Sequence, residues 1–131
     1  MQYLIDTNIC IYYMKGLYNL DKKFAQMGVE NCFISEITLA EFKFGVENSQ
    51  NLEKNSKALE DFLTGIQIIP IFPGIDIYAK EKARLRKKGT PVDDFDLLIA
   101  STALAYYLLL VTNNFKHFGR IKNIKLEDWT K

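Results

Sequence analysis

The chain has 131 residues and a formal net charge of +1, and 48% of its residues are hydrophobic, 13% aromatic and 25% charged. That profile fits one globular domain, 1–131, with a buried core, and excludes a disordered tail or a strongly basic polyanion binder. The longest apolar run, 103–111, is about half of the roughly 18–20 residues of a membrane span, so no membrane association is expected. The opening MQYLIDTN lacks a basic stretch and reaches Asp6 at once, unlike a secretory signal. Cys10 and Cys32 stand among apolar neighbours and read as reduced core thiols of a cytoplasmic protein. A single histidine, His117, excludes two-histidine acid–base catalysis and HExxH zinc sites. No GxSxG, GxxxxGK[ST] or GxGxxG sequence occurs, so the chemical tools left are carboxylates.

In chain order, Tyr3–Ile5 is a short apolar strand stopping at Asp6-Thr7-Asn8, a turn or helix cap. A second strand is expected over 32–34, and Ser35 is the N-cap of a helix running to about residue 46. Residues 51–64 carry the stripe Leu52, Ala58, Leu59, Phe62 and Leu63 of a further helix. A strand over 67–72 is closed by Pro73-Gly74. The helix expected over 75–88 turns Ile75, Tyr78, Ala79 and Leu85 inward and is followed by Gly89. The segment 95–107 is apolar nearly all round, the mark of a central buried helix. A buried strand over 108–111, a helical turn over 115–118 and a strand over 124–126 complete the chain. Strands alternating with helices predict parallel pairing by right-handed crossovers, hence a three-layer α/β/α domain.

In such sheets ligands bind beyond the carboxyl ends of the strands. Asp6 follows the first strand and Asn114 the fourth, so both are expected at one rim. Taken alone, Asp6-Thr7-Asn8 reads first as a helix cap or Asx-turn. Glu41 shares a helical face with Ile37, Phe44 and Gly45, which places a carboxylate on an inward, apolar stripe. Its charge then needs a cation or a buried base, unless the side chain reaches solvent at the stripe's edge. Asp96 opens the most apolar helix, where capping alone is favourable. Asp93, Asp94 and Asp96 together exceed what a cap needs, and a divalent ion would relieve their repulsion. Joined at one place, Asp6, Glu41 and Asp96 would offer an all-oxygen site suited to Mg²⁺ or Mn²⁺ and to phosphodiester hydrolysis. Lys80, Arg84, Lys87 and Lys88 form a positive stripe along one helix, able to hold a phosphate backbone or simply to be a solvated face.

The segments MQYLIDTNICIYY, ISEITLAEFKFGVENS and KKGTPVDDFDLLIASTALAYYLLLVTNNFKHFGRI, with the closing LEDW, resemble PIN-domain ribonucleases over essentially the whole chain. The resemblance is closest to the VapC toxins of bacterial type II toxin–antitoxin pairs. It implies a PIN-like fold with a central parallel sheet and an acidic cleft holding Mg²⁺ or Mn²⁺. Asp6, Glu41 and Asp96 carry over as the metal-binding acids, and Asn114, after Thr112, as the fourth position. Because Asn114 is neutral, one ion is favoured over two, and Asp94 is a supplementary acid. The resemblance further implies a cytoplasmic endoribonuclease cutting tRNA or rRNA, a VapB-type antitoxin laid across the cleft, and a homodimer. Two other readings are a degenerate PIN domain that binds RNA or a partner without cutting, and an aspartyl-phosphate phosphatase or receiver. The phosphatase requires DxD where this chain has Asp6-Thr7-Asn8, and a receiver requires an acidic pair before that aspartate and a lysine after a later strand, neither of which is present.

Overall fold

The computed structural model describes residues 1–131. The apolar runs become five short strands, β1 (Tyr3–Ile5), β2 (Cys32–Ser35), β3 (Gln67–Ile69), β4 (Leu109–Val111) and β5 (Leu126–Glu127), in the order β3-β2-β1-β4-β5. Every neighbouring pair is parallel, as the helical crossovers require. The helices are α1 (Thr7–Met14), α2 (Leu20–Met27), α3 (Glu36–Glu47), α4 (Leu52–Thr64), α5 (Ile75–Lys88), α6 (Asp94–Ala105) and α7 (Phe115–Phe118). None is long and apolar enough to cross a membrane.

Strand alternation divides the interior in two. Tyr3, Ile5, Cys32, Ile34 and Val111 point into one core, with Ile9 of α1, Phe24 of α2, Phe42 of α3 and Leu59 of α4. Leu4 and Leu110 point into the other, with Leu85 of α5, Leu97 and Ile99 of α6, and Phe118 of α7. The result is the expected three-layer α/β/α arrangement. From β1 the chain builds outward through β2 and β3, then crosses back to build β4 and β5 on the other side. The reversal opens a crevice where β1 and β4 end side by side, and there the Asp6 amide donates to the Val111 carbonyl at 2.9 Å.

Local chemistry accounts for several boundaries. Ser35 caps α3 by accepting from the Ile37 amide at 2.8 Å, and Asp93 caps α6 by accepting from the Phe95 amide at 3.1 Å. Helix α5 spans the expected residues and ends at Gly89, whose φ of 75° suits a residue without a Cβ.

Other expectations are corrected. Strand β3 stops at Ile69, because Pro70 has no amide to continue the ladder and the Ile71 amide turns to Glu36 Oε1 at 2.9 Å. Helix α6 ends at Ala105 rather than 107, since Tyr107 takes a φ of 57°. Strand β5 begins two residues later than expected, at Leu126. Helices α1 and α2 fill a stretch with no predicted element. On α3 the buried residues are Thr38 and Phe42, while Phe44 is 69% exposed and Gly45 is open to solvent. On α5 Leu85 is buried, but Ile75 and Ala79 face outward. On α3 the outward residues Phe44 and Gly45 line a groove instead of the core.

Gly74 lies against α6 so closely that an added Cβ would stand 2.9 Å from the Ser101 carbonyl carbon and oxygen. Backbone cannot yield as a flexible side chain does, so Gly74→Ala is expected to lose about 1–3 kcal/mol in urea denaturation. Leu110→Ala, at a fully buried position, should lose about 2–5 kcal/mol in the same measurement.

Candidate active site

Asp6 sits at the crevice, immediately past β1, and is 4% exposed. Its extended backbone and its Oδ1, which accepts from the Thr7 amide at 2.8 Å, make it the N-cap of α1. Its Oδ2 accepts from the Thr112 hydroxyl at 2.9 Å. Thr112 is the first residue after β4, so both strands flanking the crevice hold the carboxylate. Thr112 Oγ1 in turn accepts from the Asn114 amide at 3.0 Å.

Glu41 reaches the same place from α3. The Thr7 hydroxyl donates to Glu41 Oε1 at 2.7 Å and lies 2.9 Å from the hydroxyl of buried Thr38. Thr7 therefore fastens two acids, Asp6 through its amide and Glu41 through its hydroxyl. Glu41 is half-buried at the edge of the α3 packing face, which corrects the inward stripe expected from sequence.

Asp96 approaches from the first turn of α6 and is also half-buried. Burial raises the Asp6 carboxyl to about 6, and the charges of Asp96 and Glu41 add to the rise against the Thr112 and Thr7 hydrogen bonds. Asp96 is raised as well, chiefly by burial, then by Asp93 and Glu41. The chain's three ion pairs are Lys57–Asp61, Lys82–Asp94 and Arg84–Glu81, so no basic side chain pairs with Asp6, Glu41 or Asp96.

Three acids from three segments thus share one crevice and repel one another, with no lysine or arginine paired to any of them and only His117 acting against the repulsion, at Asp96. All their donors are oxygens, the set that suits a hard divalent cation. As they stand, no three of the acids lie close enough to enclose an ion directly.

The remaining candidates are placed differently. The Asn114 carboxamide is occupied with capping α7: its Oδ1 accepts from the His117 amide at 3.4 Å, and its Nδ2 lies 3.2 Å from His117 Nδ1. The contact with Asp6 belongs to Thr112. Asp94 turns away from the crevice, where its Oδ1 accepts from Tyr78 and from Lys82, both at 2.8 Å. Those bonds hold its carboxyl below the usual range. Arg84 is likewise structural, bound to Glu81 through two nitrogens at 2.8 Å and donating to the Arg120 carbonyl at 2.9 Å. Lys80, Lys87 and Lys88 stay exposed and outside any ion pair. His117 was not among the residues singled out for the site, yet its charge pulls the Asp96 carboxyl down. The one signal that could have found it is its position three residues after Asn114.

Beside the crevice a groove of about 1210 Å³ runs between α1, α3 and α4. Ile11, Met14, Phe44 and Leu59 give it apolar walls, and Thr7 and Glu41 stand among its polar lining.

Comparison with known proteins identifies relatives of the whole chain and of its fold. The family profile of the PIN domain matches residues 3–124. Ribonuclease VapC2 of Rickettsia felis is 40% identical over 136 residues, covering 100% of both chains. The tRNA(fMet)-specific endonuclease VapC of Salmonella typhimurium is 33% identical over 130 residues, covering 98% of each. Among solved structures, VapBC from Salmonella typhimurium, bound to DNA, superposes with a TM-score of 0.92 at 33% identity, covering 98% of each chain. VapBC2 from Rickettsia felis, bound to a fragment of promoter DNA, superposes at 0.87 with 39% identity, covering 98% of this chain and 99% of the other. A chain that shares this fold, this length and this much sequence with them belongs to the PIN-domain family and, within it, to the VapC endoribonucleases.

Proposed function

We propose that this endoribonuclease is the toxin of a toxin–antitoxin pair, that it acts in the cytoplasm, and that it cuts RNA by a Mg²⁺- or Mn²⁺-dependent hydrolysis. The observation that carries the metal dependence is the meeting of Asp6, Glu41 and Asp96 in one crevice with no cationic side chain paired to any of them. Two carboxyls raised by burial and mutual repulsion are what a protein tolerates when a cation completes the site. A tRNA is the substrate this reading favours over an rRNA, because VapC of Salmonella typhimurium is named a tRNA(fMet)-specific endonuclease.

The chain's own residues supply position and charge. Thr7 and Thr112 fix the rotamer of Asp6, and Thr7 fixes Glu41, so the acids face the crevice before substrate arrives. Asp6, Glu41 and Asp96 would hold the ion. Bound there, it would supply a water of lowered pKa and offset charge growing on the phosphate oxygens. Both Asp6 oxygens already accept hydrogen bonds and no lysine pairs with the residue, which disfavours the aspartyl-phosphate reading. Lys80, Lys87 and Lys88 remain free to hold phosphates further along the strand.

The partner in this reading is a VapB-type antitoxin. Structures of VapBC complexes are among the chain's near relatives. The groove between α1, α3 and α4 has apolar walls for a peptide's side chains, and Glu41 within it offers a counter-charge to a basic residue. A homodimer belongs to the same proposal, with exposed Phe72 and Ile75 as apolar surface for it.

Purified chain is expected to cut RNA with Mg²⁺ or Mn²⁺ present and not in EDTA, read on denaturing gels; full cutting in EDTA would sink the metal dependence. Asp6→Asn should abolish cutting, and Thr112→Val should slow it about 10–100-fold by loosening Asp6. Without metal, Asp6→Asn should be more stable than the parent by on the order of 1–3 kcal/mol, since a buried, repelled charge is gone. Added Mg²⁺ should then raise the thermal midpoint of the parent and leave that of Asp6→Asn unmoved. Induced without an antitoxin, the chain should arrest a bacterial host, and Asp96→Asn should restore growth. A harmless parent would refute the toxin role while leaving the nuclease untouched.

A further inference from the structure

Asn113 is exposed and directly follows Thr112, the residue whose hydroxyl holds Asp6. Its Nδ2 donates to the Tyr12 hydroxyl at 3.5 Å. The Tyr12 ring meets the Tyr18 ring edge-to-face, with centroids 5.2 Å apart and planes at 67°. Tyr18 is 53% exposed and takes no part in either core. In an edge-to-face pair only one face of one ring is covered. At least one face of Tyr18 is therefore left uncovered by Tyr12, whichever ring supplies the edge.

The loop between α1 and α2 holds this ring in an unusual way. Tyr18 and Asn19 have φ of 59° and 54°, in the left-handed region, and Gly16 lies there too, at 73°. Asparagine and glycine adopt that region readily, whereas a bulky aromatic residue there is an outlier. The Leu17 amide donates to the Tyr12 carbonyl at 2.9 Å, folding the loop back onto the end of α1. Tyr18 thus combines strain with an exposed aromatic ring, as Tyr107 does after α6, and unlike Tyr107 it is tied through Tyr12 to the segment that holds Asp6. Lys15, exposed and outside any ion pair, lies three residues beyond Tyr12 and adds positive charge.

We infer that Tyr12, Tyr18 and Asn113 form a platform for one unpaired nucleobase of the RNA strand, next to the acids, a subsite that rests on the ribonuclease reading above. Tyr18 stacks on the base, as aromatic side chains do in single-strand recognition. The Asn113 carboxamide, with its oxygen and one amide proton free, pairs with an acceptor and a donor on the base edge. Tyr12 keeps both in place: its ring buttresses Tyr18 and its hydroxyl anchors Asn113. The platform meets the site through Asn113, the neighbour of Thr112, whose hydroxyl holds Asp6.

The test is equilibrium binding of fluorescein-labelled single-stranded RNA in EDTA, where no cutting occurs, with oligonucleotides intact or missing one base at each position in turn. Tyr18→Asn removes the ring but keeps a residue at ease in the left-handed region. It should weaken binding about tenfold, Tyr18→Phe should bind like the parent, and Asn113→Ala should lose several-fold. Removing the one base that sits on the platform should weaken binding to the parent and make little difference to Tyr18→Asn. Thermal midpoints of the variants separate lost stacking from lost folding, and Asn113→Ala, outside any regular element, tests the platform without touching the strained loop. Equal binding by the parent and Tyr18→Asn, equal losses in Tyr18→Asn and Tyr18→Phe, or no RNA binding by the parent would overturn the platform. Cutting of RNA by the parent with Mn²⁺ is scored separately, so a chain that cuts but ignores Tyr18 keeps the ribonuclease reading and loses this one.

Discussion

The architecture turns on one buried carboxylate at the parting of two strands. Asp6 is fixed by backbone geometry, its amide on Val111 and its side chain on Thr7 and Thr112. It cannot swing out to solvent without uncapping α1 and breaking the tie to β4. Two further acids approach from α3 and α6, so the fold confines negative charge where water is scarce. In most domains such crowding is removed by substitution or by a basic partner. Here hydroxyls hold two of the acids, Thr112 on Asp6 and Thr7 on Glu41, and orient them without neutralising them.

The layers around that point divide the work. The core beneath α1, α2 and α4 carries most of the aromatic packing, including Tyr3, Phe24 and Trp129 edge-to-face and Tyr13 stacked on Phe24 at 4.5 Å. The opposite core is aliphatic around α6 and is closed at its rim by polar links. Arg84 joins α5 to the Arg120 carbonyl, Glu81 accepts from the Lys122 amide at 3.1 Å, and Arg120 reaches the Pro91 carbonyl at 2.9 Å. The Arg84–Glu81 pair holds Glu81 below the usual carboxylate range. A charge that reads as part of an RNA-binding stripe is in this fold a clasp between a helix and the segment leading to the last strand.

What could be read from sequence follows from how local each signal is. Strand β1, the Ser35 cap, helix α5 and the turn at α7 were legible because caps, glycines and apolar runs act within a few residues. The convergence of Asp6 and the segment after β4 was legible from topology, since parallel strands bring their carboxyl ends to one rim. Helix α1 was not, because Thr7–Met14 is rich in β-branched and aromatic residues and shows no polar face. The face of α3 was misjudged because Phe44 and Gly45 line a solvent-filled groove rather than a core. Side-chain pairing was beyond reach altogether: nothing in the order of residues says that Thr112 reaches Asp6 while Asn114 turns to His117.

The capping role of Asp6 has an evolutionary corollary. Asparagine accepts the same amide hydrogen bond at a helix start, and its codons differ from those of aspartate by a single base. On the proposed mechanism, one point mutation would therefore remove the acid while keeping the cap that starts α1. Loss of the acid and loss of the protein are separable events, and inactive descendants of such genes would be expected to persist as intact folds carrying asparagine after the first strand.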